Sequence, residues 1–209
     1  MGDPASSSSK AAGLLVKLQP IVLRMCEWAR RDRQSRQGSV LTPDLECSLL
    51  SQTVMLVCRA RELDSAQWLP ELGRLRRLQA QALKESSRID EAFPAFEESI
   101  SIFRKLYGVD ATLYVDDFIA SLDAYIHGLE GAKRVDEGQV TRKGLLELTR
   151  QHTADPQGGE RLVDILDGYT ISLLIVGHKD EAYVVHEEAL ALRRDIPKAR
   201  REARLNRLA

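Results

Sequence analysis

The chain contains 209 residues, of which 44% are apolar and 29% are charged, a balance typical of folded globular proteins and not of disordered or collagen-like chains. Thirty lysines and arginines against 31 acidic residues leave a formal net charge of −1, which argues against a surface devoted throughout to nucleic acid. The length suits one domain with at most a small appendage and allows a substantial core.

The three cysteines, Cys26, Cys47 and Cys58, form no CxxC pair and cannot all pair with one another within one chain. A sparse, odd set of this kind indicates a reducing compartment. The longest uncharged apolar stretches, residues 47–58 and 168–177, have 12 and ten residues, whereas a membrane-spanning helix needs about 20. The sequence therefore predicts a cytoplasmic protein without a transmembrane segment, with the nucleus as the alternative location.

Residues 1–12 are rich in serine and lack apolar periodicity, so we expect a flexible tail there. After it, apolar residues recur at helical spacing, and the chain has neither alternating β-branched runs nor Asn-Gly or Asp-Gly hairpin signals. The clearest stripe steps by three and four residues through Ile89, Phe93, Phe96, Ile100 and Phe103. The pattern predicts an all-α chain with helices over 13–35, 43–63, 68–86, 88–106, 112–129, 134–151, 160–176 and 178–195, and a basic helical segment over 196–209.

Local signals set several of these boundaries. Thr42-Pro43 is typical of a helix start, because proline at the first helical position gives up an amide that has no partner there. Ser87-x-x-Asp90 and Gly177-x-x-Asp180 resemble capping boxes, which predicts that each of them opens a helix. Ile196-Pro197 predicts a break or a kink.

An internal repeat is the most informative feature of the sequence. Residues 88–104 align without a gap with residues 178–194, and both segments contain Asp-Glu-Ala near their start. A fainter copy covers residues 134–150, displaced by 46 residues from the first copy and by 44 from the last. The helices before the second and third copies also agree, at Leu122, Asp123, Tyr125 and Leu129 against Leu166, Asp167, Tyr169 and Leu173. Two-helix units of this kind cannot bury their apolar stripes alone, so we expect them to stack into a solenoid.

The Leu-x2-Tyr of the first helix, followed by Ala92-x3-Phe96 or Ala182-x3-His186 in the second, resembles the tetratricopeptide repeat (TPR). The period exceeds the usual length of about 34 residues in that family and is closer to the lengthened form of kinesin light chains. The resemblance implies three TPR-like helical hairpins over 67–195 in a right-handed superhelix. A helix pair over 13–66 would then serve as a cap or as a degenerate repeat.

The chain departs from the TPR pattern at two kinds of position. The small residue that the family places where the two helices touch is Ala80 in the first unit but Ile126 and Thr170 in the others. An arginine replaces the family's terminal proline in every unit, which predicts longer second helices. In the N-terminal pair, the amphipathic second helix is expected to use Leu45, Leu49, Gln52, Met55, Leu56 and Val57.

The sequence contains none of the common catalytic, nucleotide-binding or metal-binding motifs: it has no P-loop, no dinucleotide fingerprint, no HExxH and no EF-hand loop. The cysteines lie in apolar helical contexts, where cysteine is usually a small buried hydrophobe. We therefore predict a protein that is not an enzyme and that uses no cofactor and no metal ion. A small helical enzyme with a cysteine nucleophile is the third alternative, and it would need His127, His152 or His178 beside a thiol.

The resemblance places a concave groove along the first helices, with one stripe of each helix facing a ligand. Carried over to this chain, the groove positions are Arg74, Arg77, Gln81 and Lys84, then Asp123, His127 and Glu130, then Asp164, Asp167, Ile171 and Leu174. The groove would be basic at its N-terminal end and acidic with an apolar floor at its C-terminal end, which suits a peptide or helix with basic residues at one end. The alternative is that these charges only solvate a surface.

These features predict a non-enzymatic scaffold that binds a partner protein or peptide in the groove. The main alternative is a regulatory or oligomerisation arm of a signalling system that associates with further copies of itself. Residues 193–209 carry a net charge of +5 and could contact nucleic acid or an anionic membrane, although a solvated terminal helix is the preferred interpretation.

Overall fold

The computed structural model describes Arg24 and residues 43–61, 65–152 and 156–206. Between residues 43 and 206 the described chain forms helices and no strand, which confirms the all-α prediction for that part. The helices are α1 (Pro43–Arg61), α2 (Ser65–Glu85), α3 (Ile89–Val109), α4 (Ala111–Gly131), α5 (Val135–Arg150), α6 (Pro156–Ile175) and α7 (Lys179–Asn206). Apart from Arg24, the tail over 1–12, the helix predicted over 13–35 and Cys26 lie outside the described residues.

Helices that follow one another in the chain pack together, α1 with α2, α2 with α3, α5 with α6, and α6 with α7. Most predicted boundaries are correct to within a few residues, and α1 begins at Pro43 as Thr42-Pro43 predicts. The helix does not end at Ile196-Pro197, because α7 continues to Asn206. Helices α2 and α3 likewise continue through Pro70 and Pro94. No helix of the described chain has the length and apolar character that a membrane span requires.

The turns before α3, α5 and α7 have the same conformation. Ser87, Lys133 and Gly177 adopt positive φ angles of 61°, 60° and 86°. Each donates its amide to the carbonyl three residues back at 3.0 to 3.2 Å, and the next residue donates to the carbonyl five back at 2.8 to 2.9 Å. This is the Schellman pattern that ends a helix. The predicted helix starts are confirmed to within two residues, because α3 begins at Ile89 and α7 at Lys179. The capping role is wrong: Ser87 and Gly177 end α2 and α6, and Arg88, which precedes α3, makes no side-chain cap.

The chain divides into two compact units, Met1–Ala124 and Tyr125–Ala209, with the boundary inside α4. In the first unit, Gly73 lets α2 lie close against α3, since a Cβ at Gly73 would stand 2.7 Å from the Phe103 ring. Buried Ser99 donates a hydrogen bond to the Gly73 carbonyl at 2.8 Å. The apolar core around this contact includes Leu72, Leu75, Leu83, Phe93, Phe96, Ile100 and Phe103. The stripe predicted for α3 is thus buried, apart from half-buried Ile89.

Helix α1 buries a different face from the one expected. Leu50, Val54 and Val57 are buried, whereas Leu45 and Met55 are exposed. The buried residues step by four and three, so they form one side of the helix. Apolar residues occur around much of α1, and its packing against α2 selects which of them are covered.

The second unit contains a buried arginine. Arg142 on α5 is only 3% exposed and donates to Glu130 on α4. Its guanidinium lies against Gly168 of α6, where a Cβ would stand 2.6 Å from Nη1. The residue one repeat earlier is Phe96, so a cation occupies a place that holds an aromatic ring in the first unit. Apolar neighbours in this core include Leu129, Leu145, Leu166, Tyr169, Leu173 and Ala182.

Candidate functional site

The start of the second helix carries the same arginine–glutamate ion pair in the first two repeats and a histidine beside a glutamate in the third. Arg88 donates two hydrogen bonds to Glu91 at 2.7 and 2.6 Å, and Arg134 does the same to Glu137 at 2.8 and 2.6 Å. In the third copy a histidine replaces the arginine, and His178 Nδ1 lies 3.8 Å from Glu181. The hydrogen bonds from the arginines lower the pKa values of Glu91 and Glu137. The repeat seen in the sequence is therefore a repeat of local structure.

Two of the four groove residues predicted on α2 are engaged by α4. Arg74 binds Asp117 through Nε and Nη2 and also contacts Glu71. Arg77 Nη1 donates to the Asp117 backbone oxygen at 3.1 Å, and its Nη2 lies 3.5 Å from the Asp117 carboxylate. Gln81 and Lys84 are half-buried. The two arginines expected at the basic end of the groove thus share an acidic partner within the same unit.

The groove residues predicted on α4 differ in their surroundings. Asp123, in the first unit, is half-buried. In the second unit, His127 is exposed and its Nδ1 lies 3.3 Å from Glu130. Glu130 also accepts the hydrogen bond from Arg142. Glu130 therefore links a surface histidine to the buried arginine.

The predicted residues of α6 include both exposed and paired side chains. Asp164 and Ile171 are exposed. Asp167 accepts a hydrogen bond from Arg193 of α7, so its charge is partly neutralised within the hairpin. Of the two acidic groove residues predicted on α6, Asp164 is more exposed than Asp167.

Three large apolar side chains lie exposed near the end of α6. Ile171, Leu174 and Ile175 are 59%, 52% and 73% exposed, and their three- and four-residue spacing places them on one face. We call them the α6 apolar stripe. The same repeat positions hold polar or small residues earlier in the chain, namely Gln81, Lys84 and Glu85, then His127, Glu130 and Gly131. Ile175 was missing from the predicted groove, and a position-by-position comparison of the repeats would have found it.

A polar cluster in the second unit was also missed. Buried Tyr169 donates a hydrogen bond to Glu181 at 2.8 Å, and Lys143 Nζ lies 3.5 Å from the same carboxylate. The hydrogen bond from Tyr169 and the charge of Lys143 lower the pKa of Glu181, while burial and Glu181 raise the pKa of Tyr169. Because its members come from α5, α6 and α7, only the folded hairpins bring this cluster together.

The described cysteines stand in packing positions. Cys47 is buried, with its Sγ 3.7 Å from Ser86 Oγ, and Cys58 is half-buried. Among the described residues, no group of histidine, cysteine and acidic side chains has the arrangement of a metal site.

The most distinctive surface in the described chain is the α6 apolar stripe with Asp164 on the same helix.

Comparison with protein-family models and with curated protein sequences gives no match.

Proposed function

We propose that the protein is a TPR-like interaction module that binds an amphipathic helix or peptide of a partner protein on the α6 apolar stripe. The observation that carries the proposal is the exposure of Ile171, Leu174 and Ile175 together on one helix. Isolated exposed apolar residues are ordinary, but a cluster on one face marks an interaction surface. The repeating ion pairs and Schellman turns support the two-helix repeat on which the TPR-like interpretation rests.

The chemistry of the partner follows from the residues on α6. An apolar helix face would cover the stripe, in the manner of helix-in-groove recognition. Asp164 lies seven residues before Ile171, which is about 10 Å along a helix axis. A lysine or arginine at that distance from the apolar residues of the partner would pair with Asp164 and fix its direction.

The basic residue of the proposed partner peptide would contact α6, where Asp164 is exposed. Arg74 and Arg77, which were expected to form a basic end of the groove, are paired with Asp117. Their charge is therefore used to hold α2 to α4. We place the recognition surface on the second unit, where the apolar residues and Asp164 are accessible.

The test begins with a photoreactive phenylalanine analogue at Ile171 in the full chain, irradiated in an extract of the native cells. The same analogue at Val140 provides a matched control, because Val140 is equally apolar and 73% exposed but lies on α5. A partner that crosslinks at 171 and not at 140 is then purified. Its affinity is measured for the wild type and for Ile171→Lys with Leu174→Lys.

We expect the double variant to bind at least about 10-fold more weakly, because burial of each aliphatic side chain contributes about 1.5–3 kcal/mol. Val140→Lys should leave the Kd unchanged. Asp164→Lys should weaken binding, and replacing a basic residue of the partner by glutamate should restore it. A partner whose Kd is unaffected by the double variant, or equally affected by Val140→Lys, would contradict the proposal.

A further inference from the structure

Helix α5 lacks most of the large apolar side chains that its repeat counterpart α3 buries. Five buried residues of α3 are large and apolar, namely Phe93, Phe96, Ile100, Ile102 and Phe103. The buried residues of α5 include only two of this kind, Leu145 and Leu146. The equivalents of the three α3 phenylalanines are Gln139, Arg142 and Thr149. Burial of apolar surface therefore contributes much less to the attachment of α5 than to that of α3.

Two buried polar groups of α5 lack a hydrogen-bond acceptor in the described part of the chain. They are Nε of Arg142, whose side chain is 3% exposed, and Nε2 of Gln139. Buried N–H groups nearly always have an acceptor, and leaving one without a partner costs free energy. When α5 separates from its neighbours, water can accept both hydrogen bonds. This cost therefore favours the separated state.

Two glycines weaken the helix itself. Gly138 and Gly144 both lie within the 16 residues of α5, and the equivalent of Gly138 in α3 is Ala92. Neither glycine is required for close packing. A Cβ at Gly138 would stand 3.8 Å from its nearest neighbour, Leu129 Cβ, and a Cβ at Gly144 would meet no atom within 4 Å. Glycine inside a helix favours the unfolded state relative to alanine.

Charge pairs join α5 to α4 and α7. They are Arg142 with Glu130, Lys143 with Glu181, and Arg150 with Glu188. All four side chains of the last two pairs are at least 36% exposed, and exposed pairs of this kind contribute little to stability. The pair of Arg142 with Glu130 is the more buried one, and it leaves Nε of Arg142 without an acceptor.

Helices α6 and α7 keep contacts that do not involve α5. Tyr169 donates to Glu181 towards one end of this hairpin, and Gly159 lies close to Ile196 at the other. The two helices therefore have their own basis for staying packed together.

We propose that α5 separates from the second unit by local unfolding while α6 and α7 stay folded. Local openings occur where a segment buries little apolar surface, which is the situation of α5. The opening uncovers Gly168 of α6, against which the Arg142 guanidinium lies in the closed state. The second unit thus has two states, which differ in whether α5 covers this side of α6.

Hydrogen exchange of the full chain, followed by mass spectrometry, tests the proposal. After correction for intrinsic rates, amides within 139–148 should exchange at least about 10-fold faster than those within 162–173 and 182–189. Low concentrations of urea should accelerate exchange in α6 and α7 more than in α5, because a local opening exposes little surface. Equal protection of the three helices would overturn the proposal.

Two variants separate local opening from unfolding of the whole unit. Gly138→Ala with Gly144→Ala should slow exchange in α5 by about 10-fold, because alanine strengthens the helix. Ala191→Gly, at an exposed site of α7, should accelerate exchange in α6 and α7 by about 3-fold and leave α5 unchanged, since α7 is folded in both states. If Ala191→Gly accelerates exchange in α5 equally, α5 opens only with the whole unit and the proposal is wrong.

A further pair of variants tests the part played by the buried arginine. Glu130→Ala leaves Arg142 without its carboxylate and should accelerate exchange in α5 by at least about 10-fold. Adding Arg142→Met should reverse this change, because no unpaired charge is then buried. A double variant that exchanges as fast as Glu130→Ala alone would contradict the role given to Arg142. These measurements do not involve a partner on the α6 apolar stripe, so the two proposals succeed or fail separately.

Discussion

Arg74 donates hydrogen bonds from Nε and Nη2 to one carboxylate oxygen of Asp117, at 2.9 and 2.6 Å, and so joins two helices whose contacting residues are 43 positions apart. Burial by itself would lower the pKa of Arg74, but the bonds and charges of Asp117 and Glu71 outweigh it and raise the pKa. Arg77 approaches the same carboxylate. Asp117 is therefore the acidic centre that holds α2 to α4.

Asp117→Ala should destabilise the protein by about 1–3 kcal/mol, because it leaves two partly buried arginines without their carboxylate. Urea unfolding followed by circular dichroism measures the change. Glu97→Ala is the matched control, since Glu97 is an exposed acid within α3 and should change the free energy of unfolding by less than about 0.5 kcal/mol. Equal effects of the two substitutions would show that the arginine contacts contribute little.

Glycine-to-alanine substitutions at two helical positions, Gly73 and Gly144, should change the stability of the protein in opposite directions. At Gly73 the new methyl group would stand 2.7 Å from Phe103 and 3.0 Å from Ile102, and such overpacking costs about 1–3 kcal/mol. At Gly144 no atom lies within 4 Å, so alanine should stabilise α5 by about 0.5–1 kcal/mol through its helix propensity. Thermal unfolding of both variants checks this; a stabilised Gly73→Ala would mean that α2 and α3 are less closely packed than described.

Replacing Ser87, which has a positive φ angle, by glycine should stabilise the protein. Ser87 has a φ of 61°, a conformation that costs a residue with a Cβ about 1 kcal/mol, so Ser87→Gly should raise stability by about 0.5 kcal/mol. Ser101→Gly, in the exposed interior of α3, should lower it by about 0.5 kcal/mol. Conversely, Gly177→Ala should be destabilising although nothing crowds its position, because its φ is 86°. Chemical denaturation ranks the three variants, and a destabilising Ser87→Gly would contradict the turn assignment.

The Tyr169–Glu181 hydrogen bond predicts a pH-dependent contribution to stability. Because this bond lowers the pKa of Glu181 in the folded protein, its contribution is complete above the ordinary glutamate value of about 4.3. It is then lost as the pH falls through the lower folded value. Tyr169→Phe should therefore unfold at a lower urea concentration than the wild type near neutral pH, and the difference should shrink on acidification.

Urea midpoints of both proteins between about pH 3 and pH 7 test this expectation, and carbon NMR titration of Glu181 shows whether its pKa rises in Tyr169→Phe. Tyr183→Phe is the control, because Tyr183 is exposed on α7. A stability difference that stays constant across this pH range would show that the loss comes from packing and not from the hydrogen bond.

The helices and the repeat could be predicted because they depend on neighbouring residues in the chain. The stripe through Phe93, Phe96 and Phe103 shows which side of α3 is apolar, and that side is buried. The copies of the repeat are displaced by 46 and 44 residues, and the positive-φ turns at Ser87, Lys133 and Gly177 are separated by the same two distances along the chain. The capping prediction was wrong at Ser87-x-x-Asp90. The residue types match a capping box, but Ser87 has a positive φ angle and ends the preceding helix, α2.

The candidate site was predicted only in part, because charge alone does not show where a side chain finds its partner. Arg74 and Asp164 are both charged positions on first helices, yet one is bound by Asp117 and the other is exposed. That difference is decided by which helices pack together. The same holds for Ile175, whose exposure depends on what covers the end of α6.

The sequence by itself determined the helical class, the apolar face of α3 and the period of the repeat, because each is a spacing along one helix or between copies. The tertiary structure decided which polar residues pair across helices, which face of α1 is buried, and that Ile171, Leu174 and Ile175 are left accessible together. Those properties depend on contacts between residues far apart in the chain. Such contacts are set by how closely two helices approach, as at Gly73 and Phe103, and not by the local pattern of either helix.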